Sequence, residues 1–227
     1  QGGGDGIIRT GYIYDDNSLL SALIDDQGNV TNYLYDNLNR KVAETKGLTI
    51  NSDFTKANIL GDRQIVTPTT ATINNSQVID PEAIDIQLAG TKARIDAVSE
   101  LFPSLADQVD DTPPTTIVYG YSPDDNLLVV EDENDTEIFT QYDALNRRIA
   151  TRIFRAGQND SFVGDPVFAT APVSDPSNHS VPFSAVIGTN KNDYQYDGLS
   201  RLVRATDNND PNNLADDSVV TFSYDSL

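Results

Sequence analysis

Tyr33-Leu-Tyr35-Asp36-Asn-Leu-Asn39-Arg40-Lys-Val42 is the stretch on which the fold turns. Side chains two residues apart on a strand share a face, so Tyr33 and Tyr35 project together. Asp36 then opens a turn, because its carboxylate accepts hydrogen bonds from backbone N–H groups two residues on. Asn39 falls where such a turn needs a left-handed residue, a conformation Asn tolerates better than most. Arg40, four residues after Asp36, is placed to pair with it across the turn. Val42 restarts the apolar alternation. The stretch therefore predicts strand, turn, strand.

The pattern recurs outward in both directions. Tyr12-Ile-Tyr14-Asp15 precedes it; Gln141-Tyr142-Asp143-Ala-Leu-Asn146-Arg147-Arg-Ile149 and Tyr194-Gln-Tyr196-Asp197-Gly-Leu-Ser200-Arg201-Leu-Val203 follow. Tyr119-Gly-Tyr121-Ser-Pro-Asp124 is a degenerate copy, and Phe222-Ser-Tyr224-Asp225 begins a further one. Tyr14 to Tyr35 and Tyr121 to Tyr142 are both 21 residues; Tyr196 to Tyr224 is 28, the excess falling between Asp207 and Asp217. A fixed interval near 20 residues marks a repeat array. A second turn signal lies about ten residues after the first, at Asp25-Asp-Gln-Gly28 and Asp132-Glu-Asn-Asp135. Short strands at that spacing predict an all-β array of antiparallel hairpins.

These motifs resemble the YD-repeat, or RHS-repeat, family, whose pattern Tyr-x-Tyr-Asp-x-x-(Gly/Asn)-Arg-(Leu/Val) is matched by residues 33–42, 142–149 and 194–203. The resemblance implies hairpins wound as a spiral sheet, often closed as a hollow shell, in proteins such as bacterial toxin cocoons and animal cell-surface teneurins. On that basis Tyr12, Tyr14, Tyr33, Tyr35, Asp36, Arg40, Tyr142, Asp143, Arg147, Tyr194, Tyr196, Asp197 and Arg201 are structural residues, their rings expected to stack on one another along the spiral. Asn or Ser stands where the family usually has Gly, and two insertions interrupt the period.

The expected organisation is one continuous repeat domain: repeats over 1–47, an insertion over 48–114, repeats over 115–154, a loop insertion over 155–190, and repeats over 191–227. In the first insertion Asp80-Pro81-Glu82 reads as a helix start. Ile84, Leu88, Ile95, Val98 and Phe102 continue at helical spacing, predicting one inserted helix over about 81–102. Residues 66–78 read as loop or edge strand. The Gly- and Pro-rich second insertion reads as a loop.

Asp and Glu total 35 against 15 Lys and Arg, a formal charge of −20, which argues against nucleic acid and anionic lipid as partners. There is no Cys, which removes thiol catalysis, disulfides and thiolate metal sites. No run of apolar residues is long enough for membrane insertion. The chain starts at Gln1 and contains no Met, so we expect a processed product or a window of a longer protein.

The sole histidine, His179, sits in Asp-Pro-Ser-Asn-His-Ser, a surface-type loop without a nucleophile elbow. No catalytic residue is assigned. Asp207, Asp210, Asp216 and Asp217 concentrate the oxygen ligands that Ca²⁺ prefers, although without EF-hand spacing; turns favour the same residues. Calcium is the one cofactor considered. The expectation is a non-catalytic structural segment of a secreted or cell-surface protein, forming an extracellular shell, wall or fibre. Its expected partners are other copies or continuing repeats of the same protein. The alternatives are an adhesion module that binds glycan or protein through the insertions, or a toxin's carrier shell.

Overall fold

The structure is a computed structural model that describes residues 8–61, 63, 65–68, 76–78, 81–102, 113–122, 124–134, 136–156, 183–185, 191–208 and 217–225. In chain order the elements are β1 (Gly11–Tyr14), β2 (Leu20–Ile24), β3 (Asn29–Tyr35), β4 (Lys41–Thr49), α1 (Lys56–Leu60), β5 (Val66–Pro68), β6 (Ser76–Val78) and α2 (Pro81–Val98). There follow β7 (Thr115–Tyr121), β8 (Leu127–Glu131), β9 (Thr136–Tyr142), β10 (Arg148–Ala156), β11 (Phe183–Ala185), β12 (Lys191–Tyr196), β13 (Leu202–Asn208) and β14 (Ser218–Thr221). The chain divides into two compact units, Gln1–Val66 with Val78–Val118, and Thr67–Gln77 with Tyr119–Leu227, the last crossing falling within β7. The expected all-β array of antiparallel hairpins is what the strands form.

In the first unit the strand order is β1-β2-β3-β4-β7, with Ala43–Lys46 of β4 antiparallel to Thr115–Val118 of β7. The alternation in β3 sorts Val30, Asn32 and Leu34 to the buried face and Thr31, Tyr33 and Tyr35 to the half-exposed face. Cross-strand register brings Ile13, Ala22, Ile24, Val30, Leu34 and Ala43 onto that same buried face. The tyrosines do share a face, as expected, but it is the one opposite the apolar core.

The helices of the first insertion supply core side chains. Thr55 caps α1, its Oγ1 accepting from the Asn58 N–H at 3.3 Å, and α1 buries Ile59 and Leu60. In α2, Ile84, Leu88, Thr91 and Ile95 form one buried stripe at helical spacing. Each fully buried aliphatic side chain contributes about 1.5–3 kcal/mol. The Gln87 side-chain amide clamps α2 to the end of β3, accepting from Tyr35 N–H at 3.1 Å and donating to Tyr35 O at 2.9 Å. Phe102 is buried beside Gly11, where an added β-carbon would come within 2.8 Å of Phe102 Cζ. Thr116 Oγ1 bonds both Thr45 Oγ1, at 2.9 Å, and the Ile59 carbonyl, tying α1 to the sheet.

The expected inserted helix is present as α2, with two further details. Among the described residues a capped five-residue helix, α1, precedes it, too short to show a period in the sequence. The longer helix stops at Val98 and tightens into a 3-10 turn over Ser99–Leu101, with Phe102 already extended. The expected start residue Asp80 and stop residue Pro103 lie outside the described residues. Within 66–78, β5 and β6 pair as a two-stranded sheet.

In the second unit the order is β8-β9-β10-β12-β13-β14, with β11 pairing the end of β10. β10 reaches Ala156 and β11 belongs to the sheet, so ordered strand intrudes at both ends of the expected 155–190 loop. Here the face equivalent to the first unit's core is mixed: beside buried Phe139 and Ala150, Glu131, Glu137 and Arg152 are buried to 4%, 2% and 1% exposure. Glu131 stands directly opposite Glu137, and Arg152 opposite Phe139. No helix among the described residues is long and apolar enough to cross a membrane.

Candidate functional site

The repeating chemistry is concentrated in the turns. At Asp36 the backbone closes twice: Asp36 N–H donates to Arg40 O, and Asn39 N–H to Asp36 O, both at 3.0 Å. The carboxylate then fills the loop. Its Oδ1 accepts from Leu38 N–H at 2.9 Å and Arg40 N–H at 3.0 Å, while Oδ2 accepts from Arg40 Nε at 2.7 Å. Asp143 with Arg147, and Asp197 with Arg201, repeat these contacts with Nε–Oδ2 distances of 2.7 Å. The expected left-handed position is real: φ is 62° at Asn39, 57° at Asn146 and 62° at Ser200.

Four further turns use the geometry with different residues. Asp15 makes both Oδ1 bonds, with Ser18 left-handed at φ 64° and Leu19 in the arginine's place. In the degenerate copy Ser122 substitutes for Asp, its Oγ accepting from Asp124 and Asn126 N–H, and Asp125 is left-handed at φ 62°. At the opposite ends of the strands, Asp25 and Asp132 accept from residues two and four ahead in the same way, and Gly28 takes φ 81°. A search for a short polar side chain three residues before a left-handed-tolerant one would have found Ser122 as well as the aspartates.

Tyrosines join successive repeats. The Tyr preceding the turn residue sends its hydroxyl back to the carbonyl of the residue that starts a neighbouring strand. Tyr35 Oη donates to Leu20 O at 2.9 Å, Tyr142 to Leu127 O at 3.2 Å, Tyr196 to Arg148 O at 2.9 Å and Tyr224 to Leu202 O at 2.8 Å. The turn arginine covers the next repeat's ring: Arg147 lies 4.8 Å from the Tyr196 centroid, and Arg201 4.6 Å from that of Tyr224. Arg148 lies 4.7 Å from the Tyr194 ring and Lys41 5.7 Å from that of Tyr33. The ring partners seen for these four tyrosines are cations, each contact worth about 0.5–1 kcal/mol at an exposed site, where ring-on-ring stacking was expected. Arg147 also donates to Ser200 Oγ at 3.1 Å, and Asn126 Nδ2 to Asn146 Oδ1 at 3.0 Å, linking neighbouring turns directly.

The electrostatics follow the contacts. The Arg147 guanidinium hydrogen bond holds the Asp143 carboxyl below its ordinary range. At Asp197 the backbone N–H of Arg201 is the leading cause of the same shift, with the guanidinium adding to it. On β4, the Lys41 ammonium at 2.6 Å pulls Glu44 down. Burial pushes the Tyr35 hydroxyl up.

Tyr12 and Tyr14 are the outliers, 59% and 53% exposed, and among the described residues no cation lies over either ring. Of the calcium candidates, Asp207 is in β13 opposite Ser218, next to Asp217, while Asp210 and Asp216 lie outside the described residues, as does His179. Among the described residues no group of three or more His, Cys, Asp or Glu side chains is placed to hold a metal ion.

No protein-family model matches the chain, and no curated protein does. Among solved structures, it is similar to a TcdB2-TccC3-Cdc42 crystal structure at 16% identity and TM-score 0.36, covering 90% of this chain and 7% of that one. TcdB2-TccC3 without its hypervariable C-terminal region gives 17% identity and TM-score 0.36 over the same shares. A Photorhabdus luminescens Tc holotoxin pore gives 16% and 0.36, again over 90% and 7%. The chain thus spans about 7% of the length of these structures, and the likeness is too loose to add to what the turns themselves establish.

Proposed function

We propose that this chain is a non-catalytic building segment of a YD-repeat protein, secreted or displayed on a cell surface, where it forms part of a shell, wall or fibre. The observation that carries the reading is the tyrosyl bond to a strand-start carbonyl, made four times with the same donor and acceptor atoms. A contact repeated at four joints serves the array and not any one place in it; catalysis needs unlike groups converging at a single point. The side chains that carry the repeat are also engaged with one another, Asp with Arg and Arg with Tyr. The described helices of the first insertion supply core, which favours a wall element over a display of binding loops.

The test is immunogold electron microscopy with antibody against the chain, applied to intact producing cells and their medium, alongside a polysaccharide hydrolysis panel with the purified chain. Gold along a continuous wall, shell or fibre, without hydrolysis, is the expected result. Label confined to the cell interior, or turnover of any polysaccharide, overturns the proposal.

A further inference from the structure

We infer that the core of the first unit holds one internal water molecule, bound between the Asn32 carboxamide of β3 and the Thr45 hydroxyl of β4. Asn32 lies between Val30 and Leu34 on the buried face of β3, at 0% exposure. A carboxamide carries two N–H donors and an acceptor oxygen. Neither Asn32 Nδ2 nor Oδ1 has a hydrogen-bond partner among the described residues. Among the described residues of the first unit, Asn32 is the one buried side chain so placed. Buried polar atoms in folded proteins are met, with few exceptions, by protein groups or by ordered water.

The neighbouring hydroxyls fix what Asn32 faces. Thr45 stands directly opposite it in the β3–β4 register. Thr45 Oγ1 is 2.9 Å from Thr116 Oγ1, and Thr116 donates to the Ile59 carbonyl of α1. A hydroxyl has a single proton. Thr116 uses its own on Ile59, so Thr45 donates to Thr116. Thr45 Oγ1 is left with lone pairs to accept a bond and no proton to give one. A water between the two side chains accepts from Asn32 Nδ2 and donates to Asn32 Oδ1 and Thr45 Oγ1. It thereby makes about the three bonds usual for a buried water. Short side chains surround the amide and leave it room: Ala22 stands opposite on β2, and Ala43 lies two residues from Thr45 on the same face of β4. The water completes a polar seam through the core, from Ile59 of α1 by way of Thr116 of β7 and Thr45 of β4 to Asn32 of β3.

Two solution measurements on the full chain test this. Oxygen-17 magnetic relaxation dispersion counts long-lived internal waters, and the Overhauser contact between water and the Asn32 side-chain protons locates this one. The contact is expected in the wild type. Asn32→Leu keeps the branched shape and needs no partner, and is expected to lower the count of long-lived waters by one. Thr45→Val keeps the shape and removes the acceptor, and is expected to shorten the water's residence at Asn32 about fivefold, one lost hydrogen bond. A crystal structure of the wild type gives a reading that requires no variant to fold: a water within hydrogen-bond distance of both Asn32 and Thr45 is expected. An Asn32 amide bonded directly to Thr45 or to another protein group, no water contact at Asn32, an unchanged count in Asn32→Leu, or an unchanged residence time in Thr45→Val each overturns the inference. None of these readouts measures hydrolysis or cell-surface labelling, so this inference and the structural role fail separately.

Discussion

Replacing Tyr35 with Phe isolates one rung of the ladder. The substitution keeps the ring on the half-exposed face of β3 and deletes only the donor to Leu20 O, 2.9 Å away and partly buried. A neutral intramolecular hydrogen bond contributes about 1 kcal/mol net, and the stripped Leu20 carbonyl is close enough to solvent to recover part of its hydration. The expected loss is therefore about 1 kcal/mol, a fall in melting temperature of about 3 °C if the chain melts as one body and nearer 6 °C if the first unit melts alone. Tyr14→Phe, which removes a hydroxyl with no partner among the described residues, is the matched control and is expected to change stability by less than about 0.5 kcal/mol. Urea denaturation followed by far-ultraviolet circular dichroism measures both. The alkaline limb supplies a second check. Burial raises the Tyr35 pKa in the folded chain above its unfolded value, about 10. Its contribution is thus full below pH 10 and is lost as pH rises through the raised value, so the gap between wild type and Tyr35→Phe narrows there. Equal effects of the two substitutions at neutral pH, or a gap that widens above pH 10, would refute the claim that tyrosyl bonds hold adjacent repeats together.

Other substitutions test the turn and the core. Asn39→Gly is expected to leave stability within about 0.5 kcal/mol, since the residue sits at φ 62° and no side-chain bond is required there, whereas Asn39→Val costs about 2 kcal/mol; chemical denaturation compares them. Gly11→Ala forces a β-carbon to within 2.8 Å of Phe102 Cζ and 3.2 Å of Ile24 Cβ, and should cost about 1–3 kcal/mol in a thermal melt. Asp143 and Asp197 have depressed folded pKa values, so their contribution is present above the unfolded value, about 3.9, and is lost as pH falls below it. An acid titration of the double Asp→Asn variant should be flatter below pH 4 than that of the wild type.

The turns were legible because their chemistry is local. An aspartate, a left-handed residue three places on and an arginine four places on are fixed by chain geometry, and the sequence states all three at Asp36, Asn39 and Arg40. The partners of the tyrosine rings were not legible. They depend on which strands become neighbours, and Tyr196 meets a carbonyl 48 residues away across an insertion. Alternation was read correctly in Tyr33-Leu-Tyr35, yet it does not say which face is the core. The mixed face of the second unit was invisible for a related reason: Glu131, Glu137 and Arg152 look like solvated residues until register sets them on one side of the sheet. The helix at Lys56–Leu60 is too short to show a period, and its evidence lies in Thr55 and Gly61 at its ends.

That mixed face separates the response to salt from the response to denaturant. The first unit is held on its inner side by Ile, Leu, Val and Phe; the second buries two glutamates and an arginine beside Phe139 and Ala150. Charges this deeply buried are little screened by added salt, whereas urea weakens apolar contacts in both halves. Sodium chloride should therefore leave the second half's urea midpoint close to its salt-free position.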